Sequence, residues 1–279
     1  MTFGDINISG ISDGQFKLDG GQSFGIVPKI LWRRLAQPDR NNRLVIGLNC
    51  FLIQYRNTNI LVDTGIGTKL SPFLTKRYSA KTGELRYGLK KHGLGFEDID
   101  YVILTHLHFD HAGGCTYAGP TGELIPRFSK ATYIVQKSEW QSATHPNELT
   151  KASYMSPDFL PLQKSGQLEL IDGDTEINSG IWAMHTGGHT SGYQIVVIKS
   201  SYRTIAHLGD ILPTHHHVAL PYITAIDTHP ATTLNQKRDL LNKAHKDNWI
   251  LLFGHGVHTK AGTLTRENGK VAFDKSVSI

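Results

Sequence analysis

Apolar positions in this chain come mostly in short runs, broken by glycine and by polar clusters, and few stretches show a long helical period. Residues 1–20 alternate weakly through Ile6, Ile8, Phe16 and Leu18, with glycine at 10, 14, 20 and 21, and read as a first hairpin. Gly21 to Asn42 carries Pro28, Trp32 and Pro38 and reads as a long connection with one short helical turn. Leu44 to Tyr55 is a strongly apolar strand, and Asn57–Asn59 turns it into a returning strand, Ile60–Val62. That strand ends in the polar turn Asp63-Thr-Gly-Ile-Gly67. Residues 68–95 are polar and mixed and read as a mobile flap, and Phe96–Asp100 as a short helix or turn.

A strand-like run, Tyr101–Leu104, then enters Thr105-His-Leu-His-Phe-Asp-His-Ala-Gly-Gly114. Further on, the pattern predicts a loop at 115–130, a strand over Ala131–Lys137 and a short helix over Ser138–Thr144 with Ser138 as its N-cap. Residues 145–165, with three prolines, read as an irregular insertion. Strands follow at Leu168–Ile171, Gly180–His185, Tyr193–Lys199 and Arg203–Leu208. Ala231–Lys246 is the clearest helix, with Thr228 or Asp227 as its cap, and Trp249–Phe253 is the last buried strand. Strand groups with helices between them predict α/β layers with mixed sheets. No proline-rich linker divides the chain, so residues 1–279 are expected to form a single domain.

Charge and composition narrow the classes. The chain has 279 residues, 39% of them hydrophobic, and a formal charge of +5. No run of Lys or Arg exceeds two, as at Arg33-Arg34, so no nucleic-acid stripe is expected. No apolar stretch approaches a membrane span, and the N-terminus lacks the pattern of a secretory signal, so a cytoplasmic location is expected. Cys50 falls in a strand pattern and reads as a core residue; Cys115, just past the histidines, reads as a neighbour of the site.

The candidate chemistry lies in His106, His108, Asp110 and His111. In an extended segment His106 and His108 share one face while Leu107 and Phe109 turn to the core. Asp110 and His111 follow where Gly113-Gly114 lets the chain turn. Burying four such side chains without a metal would be costly. Three further donors follow apolar strands and adjoin glycines: His189 in His185–Gly192, Asp210 in His207-Leu-Gly-Asp210, and His255 in Phe253-Gly-His-Gly256. Five histidines and two aspartates suit two divalent ions, zinc first among them, with iron, manganese and cobalt able to use the same donors. Asp210, with two oxygens to share, is the natural bridge.

Thr105-His-Leu-His-Phe-Asp-His111, with His189, Asp210 and His255 in that order and Val62-Asp-Thr-Gly65 upstream, resembles the metallo-β-lactamase fold superfamily. The resemblance implies an αβ/βα four-layer sandwich with two mixed sheets and a dinuclear site at one edge. It implies that His106, His108 and His189 hold one metal, that Asp110, His111 and His255 hold the second, that Asp210 bridges them, and that Asp63 orients a ligand. The common β-lactamases carry a cysteine in the second site, and flavodiiron oxidoreductases carry Glu where this chain has His108. Phe24–Lys29, Trp32, Asn49-Cys50, Gly209–Thr214 and Ala225–Thr228 are similar to the quorum-quenching N-acyl-homoserine lactone lactonases and the methyl-parathion-hydrolase-like group. Departures are Pro213, where some lactonases have a tyrosine, and Tyr193, where a second histidine is frequent.

The chemistry so implied is attack of a metal-bridging hydroxide on a lactone or ester carbonyl, with Asp110 or Asp210 shuttling the proton. The alternative is a phosphotriesterase or phosphodiesterase, and behind it a non-hydrolytic metal-binding or redox protein. Charged diesters favour Arg or Lys near the metals, and none adjoins these motifs, so a neutral small-molecule substrate is expected. Of His215-His-His217, His217 is the first choice to line the substrate pocket, and residues 68–95 and 142–165 are expected to roof it. His185 and His207 read as core or supporting residues, and His92, His145, His229, His245 and His258 as surface. The apolar segment around Trp32 raises the expectation of a homodimer.

Overall fold

A computed structural model describes residues 1–201 and 203–279. Two mixed sheets face each other. The first runs in the order Thr2–Phe3, Ile6–Asp19, Arg43–Tyr55, Thr58–Val62, Tyr101–Ile103, Thr132–Gln136, Leu168–Ile171, with Lys81–Thr82 beside Ile6–Asp19. The second runs Thr175–Asn178, Ile181–His185, Gln194–Lys199, Thr204–His207, Ile250–Leu252, Ala261–Glu267, Lys270–Ser276. Ile8, Phe51, Ile53 and Ile103 of the first sheet meet Ile181, Val196, Ile205 and Leu252 of the second in a dry core. The outer face of the first sheet is covered by the helices Leu85–Lys90, Lys137–Thr144 and Ser156–Lys164, through Leu89, Trp140 and Phe159. The outer face of the second is covered by Pro230–Lys246, through Leu241 and Ala244. Helix, sheet, sheet and helix make the αβ/βα sandwich. Arg43–Tyr55 is buried on both faces, so it reads as a continuous apolar run rather than an alternating one.

The topology places the site. Thr58–Val62 and Tyr101–Ile103 are parallel neighbours in one sheet, and Thr204–His207 and Ile250–Leu252 are parallel neighbours in the other. Parallel strands end on the same side, so the turns after all four gather at one edge of the sandwich.

Several expectations are corrected. The hairpin read in residues 1–20 is confined to its start, where Thr2–Phe3 pairs with Ile6 and Asn7; the remainder is one long strand, Ile6–Asp19, paired along its length with Arg43–Tyr55. A bulge at Ser12/Gly14 lets it follow the twist, which weakens its alternation. Residues 68–95 hold the helices Pro72–Tyr78 and Leu85–Lys90, and the insertion at 145–165 holds the helix Ser156–Lys164, with Pro161 inside it. The loop at 115–130 contains a small hairpin, Thr116–Ala118 with Leu124–Pro126. Lys137–Thr144 begins one residue before Ser138, and Gln136 occupies its cap position without a side-chain bond. Pro230–Lys246 begins after His229, with proline in the first turn where its missing N–H costs nothing, so neither Thr228 nor Asp227 caps it. Ile250–Leu252, within Trp249–Phe253, is the last strand buried throughout, but two strands that the pattern does not predict, Ala261–Glu267 and Lys270–Ser276, extend the sheet beyond it. Their outer residues are largely exposed, which hid the pattern. Trp32 is 1% exposed and stacks on Phe24, whereas its neighbours Ile26 and Ile30 are 88% and 59% exposed. No helix among the described residues is long and apolar enough to cross a membrane.

Candidate metal centre

The motif Thr105–Gly114 crosses the end of strand Tyr101–Ile103 as a loop and enters the short helix Phe109–Ala112. Leu107 and Phe109 drop into two separate cores, as the alternation predicts, and this turns His106 and His108 outward to the sheet edge. Gly113 and Gly114 act by close approach rather than by unusual backbone angles. A Cβ on Gly114 would lie 2.2 Å from the carbonyl oxygen of Thr64, and the two glycines press the motif against the Asp63–Gly67 turn.

Seven side chains converge there. Donor atoms of His106, His108 and His189 lie within 4.8 Å of one another, as do those of His106, His111 and Asp210, and those of Asp110, His111 and His255. Asp210 faces both ways. Its Oδ2 is 3.2 Å from His189 Nε2 and 3.9 Å from His106 Nε2, while its Oδ1 is 2.9 Å from His255 Nε2 and 3.5 Å from His111 Nε2. Asp110 Oδ2 is 3.8 Å from both His111 Nε2 and His255 Nε2.

The outer ring nitrogens are tied down, which aims the inner ones. His189 Nδ1 donates to Asp227 Oδ1 at 2.9 Å, and His255 Nδ1 donates to the Gly47 carbonyl at 2.8 Å. His111 Nδ1 donates to Asp63 Oδ2 at 2.9 Å. Asp63 sits at φ 56, an uncommon value for a residue with a side chain, and also accepts from the Thr105 N–H at 2.8 Å. His207 Nε2 lies 3.4 Å from the same Asp63 oxygen, so His207 supports the site from below.

This donor set fits divalent cations. His106 Nε2, His108 Nε2 and Asp210 Oδ1 are buried without a hydrogen bond; the 2.9 Å approach of His255 to Asp210 Oδ1 is close but lacks hydrogen-bond alignment. His111 Nε2 and His255 Nε2 lie 3.2 Å apart, and such facing nitrogens gain from a positive centre between them. Burial, together with the neighbouring imidazoles, holds His106 and His108 well below the usual histidine range, in the neutral form that binds metal. Burial opposes the charged form of His189 and His255 too, but the Asp210 carboxylate overcomes it and moves both up. The cluster around Asp210 therefore attracts positive charge, which protons or metal ions can supply.

The other candidates fall in different places. Tyr193 is fully buried; its hydroxyl accepts from the Asp210 N–H and donates to the Leu208 carbonyl, so it sets the backbone of Asp210 and does not reach the pocket. His217 lines the cavity with its ring, but Nε2 donates to the Ser23 carbonyl at 2.9 Å, Nδ1 pairs with Thr214 Oγ1 at 2.8 Å, and the ring stacks on Phe24. Cys115 Sγ lies 3.4 Å from Thr64 Oγ1, and that hydroxyl donates to the His111 carbonyl at 2.8 Å.

Asp227 and Lys237 are supporting residues that the pattern alone misses. Asp227 looks like a helix cap in the sequence. Lys237 is buried mid-helix and donates to the carbonyls of Ala219 and Tyr222, in the loop leading to Asp227; burial pulls its ammonium down to about 7.

Above the ligands lies a small cavity of about 60 Å³ whose floor includes His108, Asp110, Asp210 and His255. It shares Ser23, Ile46, Thr214, His217 and His255 with a larger one of about 500 Å³. Leu35, Leu44, Val45 and Val257 give the larger cavity apolar walls, and no lysine or arginine among the described residues lines either. The walls come from residues 15–46 and 213–258. Residues 68–95 line neither cavity, and 142–165 contribute only Ser153, so the expected roof is corrected.

A probable metal-dependent hydrolase from Staphylococcus aureus has the same fold with a TM-score of 0.93, at 31% identity over 100% of this chain and 99% of that one. An N-acyl homoserine lactonase from Bacillus sp is 29% identical over 227 residues, which are 76% of this chain and 82% of that protein. An N-acyl homoserine lactone hydrolase solved with N-hexanoyl-L-homoserine at its catalytic metal centre superimposes with a TM-score of 0.69, at 25% identity over 92% of this chain and 95% of that one. The family model for the metallo-beta-lactamase superfamily matches residues 45–255, from the long central strand to the last histidine of the cluster, and the chain belongs to that superfamily.

Proposed function

We propose that this metal-dependent hydrolase opens the ring of an N-acyl-homoserine lactone, with His106, His108 and His189 holding one divalent cation, Asp110, His111 and His255 holding a second, and Asp210 shared between them. One observation carries the choice of substrate: the carboxylates and imidazoles stand at the floor of a largely apolar double cavity that no lysine or arginine among the described residues lines. A compact neutral head fits the small chamber, and an apolar tail fits the larger one. The names of the relatives point the same way.

Bound cations supply Lewis acidity and bring the pKa of water toward neutrality. The chain supplies the rest. The Asp210 carboxylate sets the spacing of the two donor groups. The half-buried Asp110 takes a proton from water at Oδ2 as the new C–O bond forms at the carbonyl. The same proton goes to the ring oxygen when the ester C–O bond breaks, giving an alcohol and a carboxylic acid, which releases water's second proton to solvent as it ionises. The apolar walls keep bulk water from the acyl tail.

The test is metal analysis followed by a panel: N-hexanoyl-homoserine lactone, an aryl ester, a paraoxon-like triester, a nucleotide diester and a cephalosporin. The expected result is two equivalents of metal and the highest kcat/KM on the lactone. Activity confined to the diester would refute the reading.

A further inference from the structure

Glu139 has no place in the chemistry above, yet it is 0% exposed and forms no ion pair with a lysine or arginine among the described residues. A carboxylate so buried is costly unless donors surround it. Glu139 has three, from three separate segments. Its Oε1 accepts from the Leu107 N–H at 2.9 Å and from Tyr154 Oη at 3.0 Å, and its Oε2 accepts from Thr190 Oγ1 at 2.5 Å.

Each donor stands next to a metal-site histidine. Leu107 is the residue between His106 and His108. Thr190 follows His189. Tyr154 bridges His108 through the backbone, and its ring lies 4.9 Å from the His108 ring. Gly192 makes the arrangement possible, because a Cβ there would lie 2.0 Å from the Glu139 nitrogen. The helix that carries Glu139 thus seats directly on the His189 loop.

The outer nitrogens explain why such an anchor is needed. His189 has Asp227, and His111 has Asp63. Among the described residues His106 Nδ1 meets only Thr105 Oγ1, and His108 has no carboxylate hydrogen-bond partner, its Nδ1 lying 3.3 Å from His189 Nε2. These two rings are fixed through their backbone, and the one amide between them is held by Glu139.

We propose that Glu139 is a positioning residue for the His106–His108–His189 half of the centre, setting its affinity and ligand geometry for a divalent cation while leaving the Asp110–His111–His255 half unchanged. The inference rests on the two-cation reading given above.

The experiment titrates Co²⁺ into the metal-depleted full-length protein, followed by calorimetry and visible absorption. Glu139→Gln keeps the shape and removes the charge, and Thr190→Val removes one donor only. His189→Ala and His255→Ala identify which binding step belongs to which half. The expected result in Glu139→Gln is that the step lost in His189→Ala weakens by about 10- to 100-fold, with a changed Co²⁺ spectrum, while the step lost in His255→Ala stays within about twofold. Thr190→Val moves the same step in the same direction by less. Equal weakening of both steps, or of neither, in a variant that melts as the parent does overturns the assignment of Glu139. A parent protein that binds no Co²⁺ overturns the two-cation reading and this inference with it.

Discussion

Two stretches of this chain are rich in histidine, and only one of them builds a centre. His106, His108 and His111 are spread over six positions, whereas His215, His216 and His217 are consecutive. The denser stretch is the one that builds none, although its rings line the larger cavity. It forms a single 3₁₀ turn, in which successive side chains point about 120° apart. His217 is turned onto Phe24 and His215 onto Phe273, and the three rings cannot share a focus. The sparser stretch crosses a strand end, where Asp63 meets it from the neighbouring strand and Asp210 from the facing sheet. Charge follows the same division. Burial, reinforced by neighbouring cationic side chains, carries His216 down to about 4 and His217 to about 3, and no carboxylate among the described residues opposes it. At His189 and His255 burial pulls the same way and Asp210 reverses it. The carboxylates, and not the count of imidazoles, separate a metal centre from a packed turn.

The largest effect should therefore come from a carboxylate. Asp210→Asn keeps the size of the side chain and removes the charge that faces four histidines. Lactone turnover is expected to fall about a thousandfold in kcat/KM, with metal content by elemental analysis dropping below two equivalents. Retention of both metals and full turnover would mean that the histidines suffice, and the contrast with residues 215–217 would have to be drawn on other grounds. Next come the outer carboxylates, taken as a pair. Asp227→Asn and Asp63→Asn each loosen one ring, His189 and His111 respectively, and each is expected to weaken one metal-binding step by about 10- to 100-fold. Competition titrations with a chelator read both steps. Loss of the same step in both variants would break the division of the centre into halves.

How much of this is legible in the sequence depends on what each residue leans on. The strands that carry the ligands are short apolar runs buried on both faces, and they stand out. The seven converging side chains are also visible, because strand ends, glycines and ligand-type residues coincide. The anchors are another matter. Glu139 lies 33 residues from His106, and Asp227 lies 38 from His189, across folds of the chain that no local period encodes. Glu139 reads as one polar residue in a short helix, and Asp227 as a cap. The helix Ser156–Lys164 hides behind three prolines. The outermost strands hide because exposure erases their alternation.

The smallest effect falls on the packed triplet, and it concerns stability. His217 is buried and neutral, with its pKa lowered from 6.5 to about 3. Between those values the unfolded chain binds a proton that the folded one does not. Stability from this group is complete above pH 6.5 and is lost as pH falls toward 3, by up to about 5 kcal/mol if the full shift applies. His217→Phe keeps the stack on Phe24 and removes the titration, at a cost of about 1–3 kcal/mol for the Ser23 carbonyl and Thr214 hydroxyl left without their partner. The variant should melt below the parent at pH 8, and the gap should narrow as pH is lowered from 6.5 to 4. Its metal content should stay at the parent's value. A gap that is constant with pH would remove the buried neutral histidine from the argument. Loss of a metal equivalent would break the comparison outright, because it would make the triplet part of the centre after all.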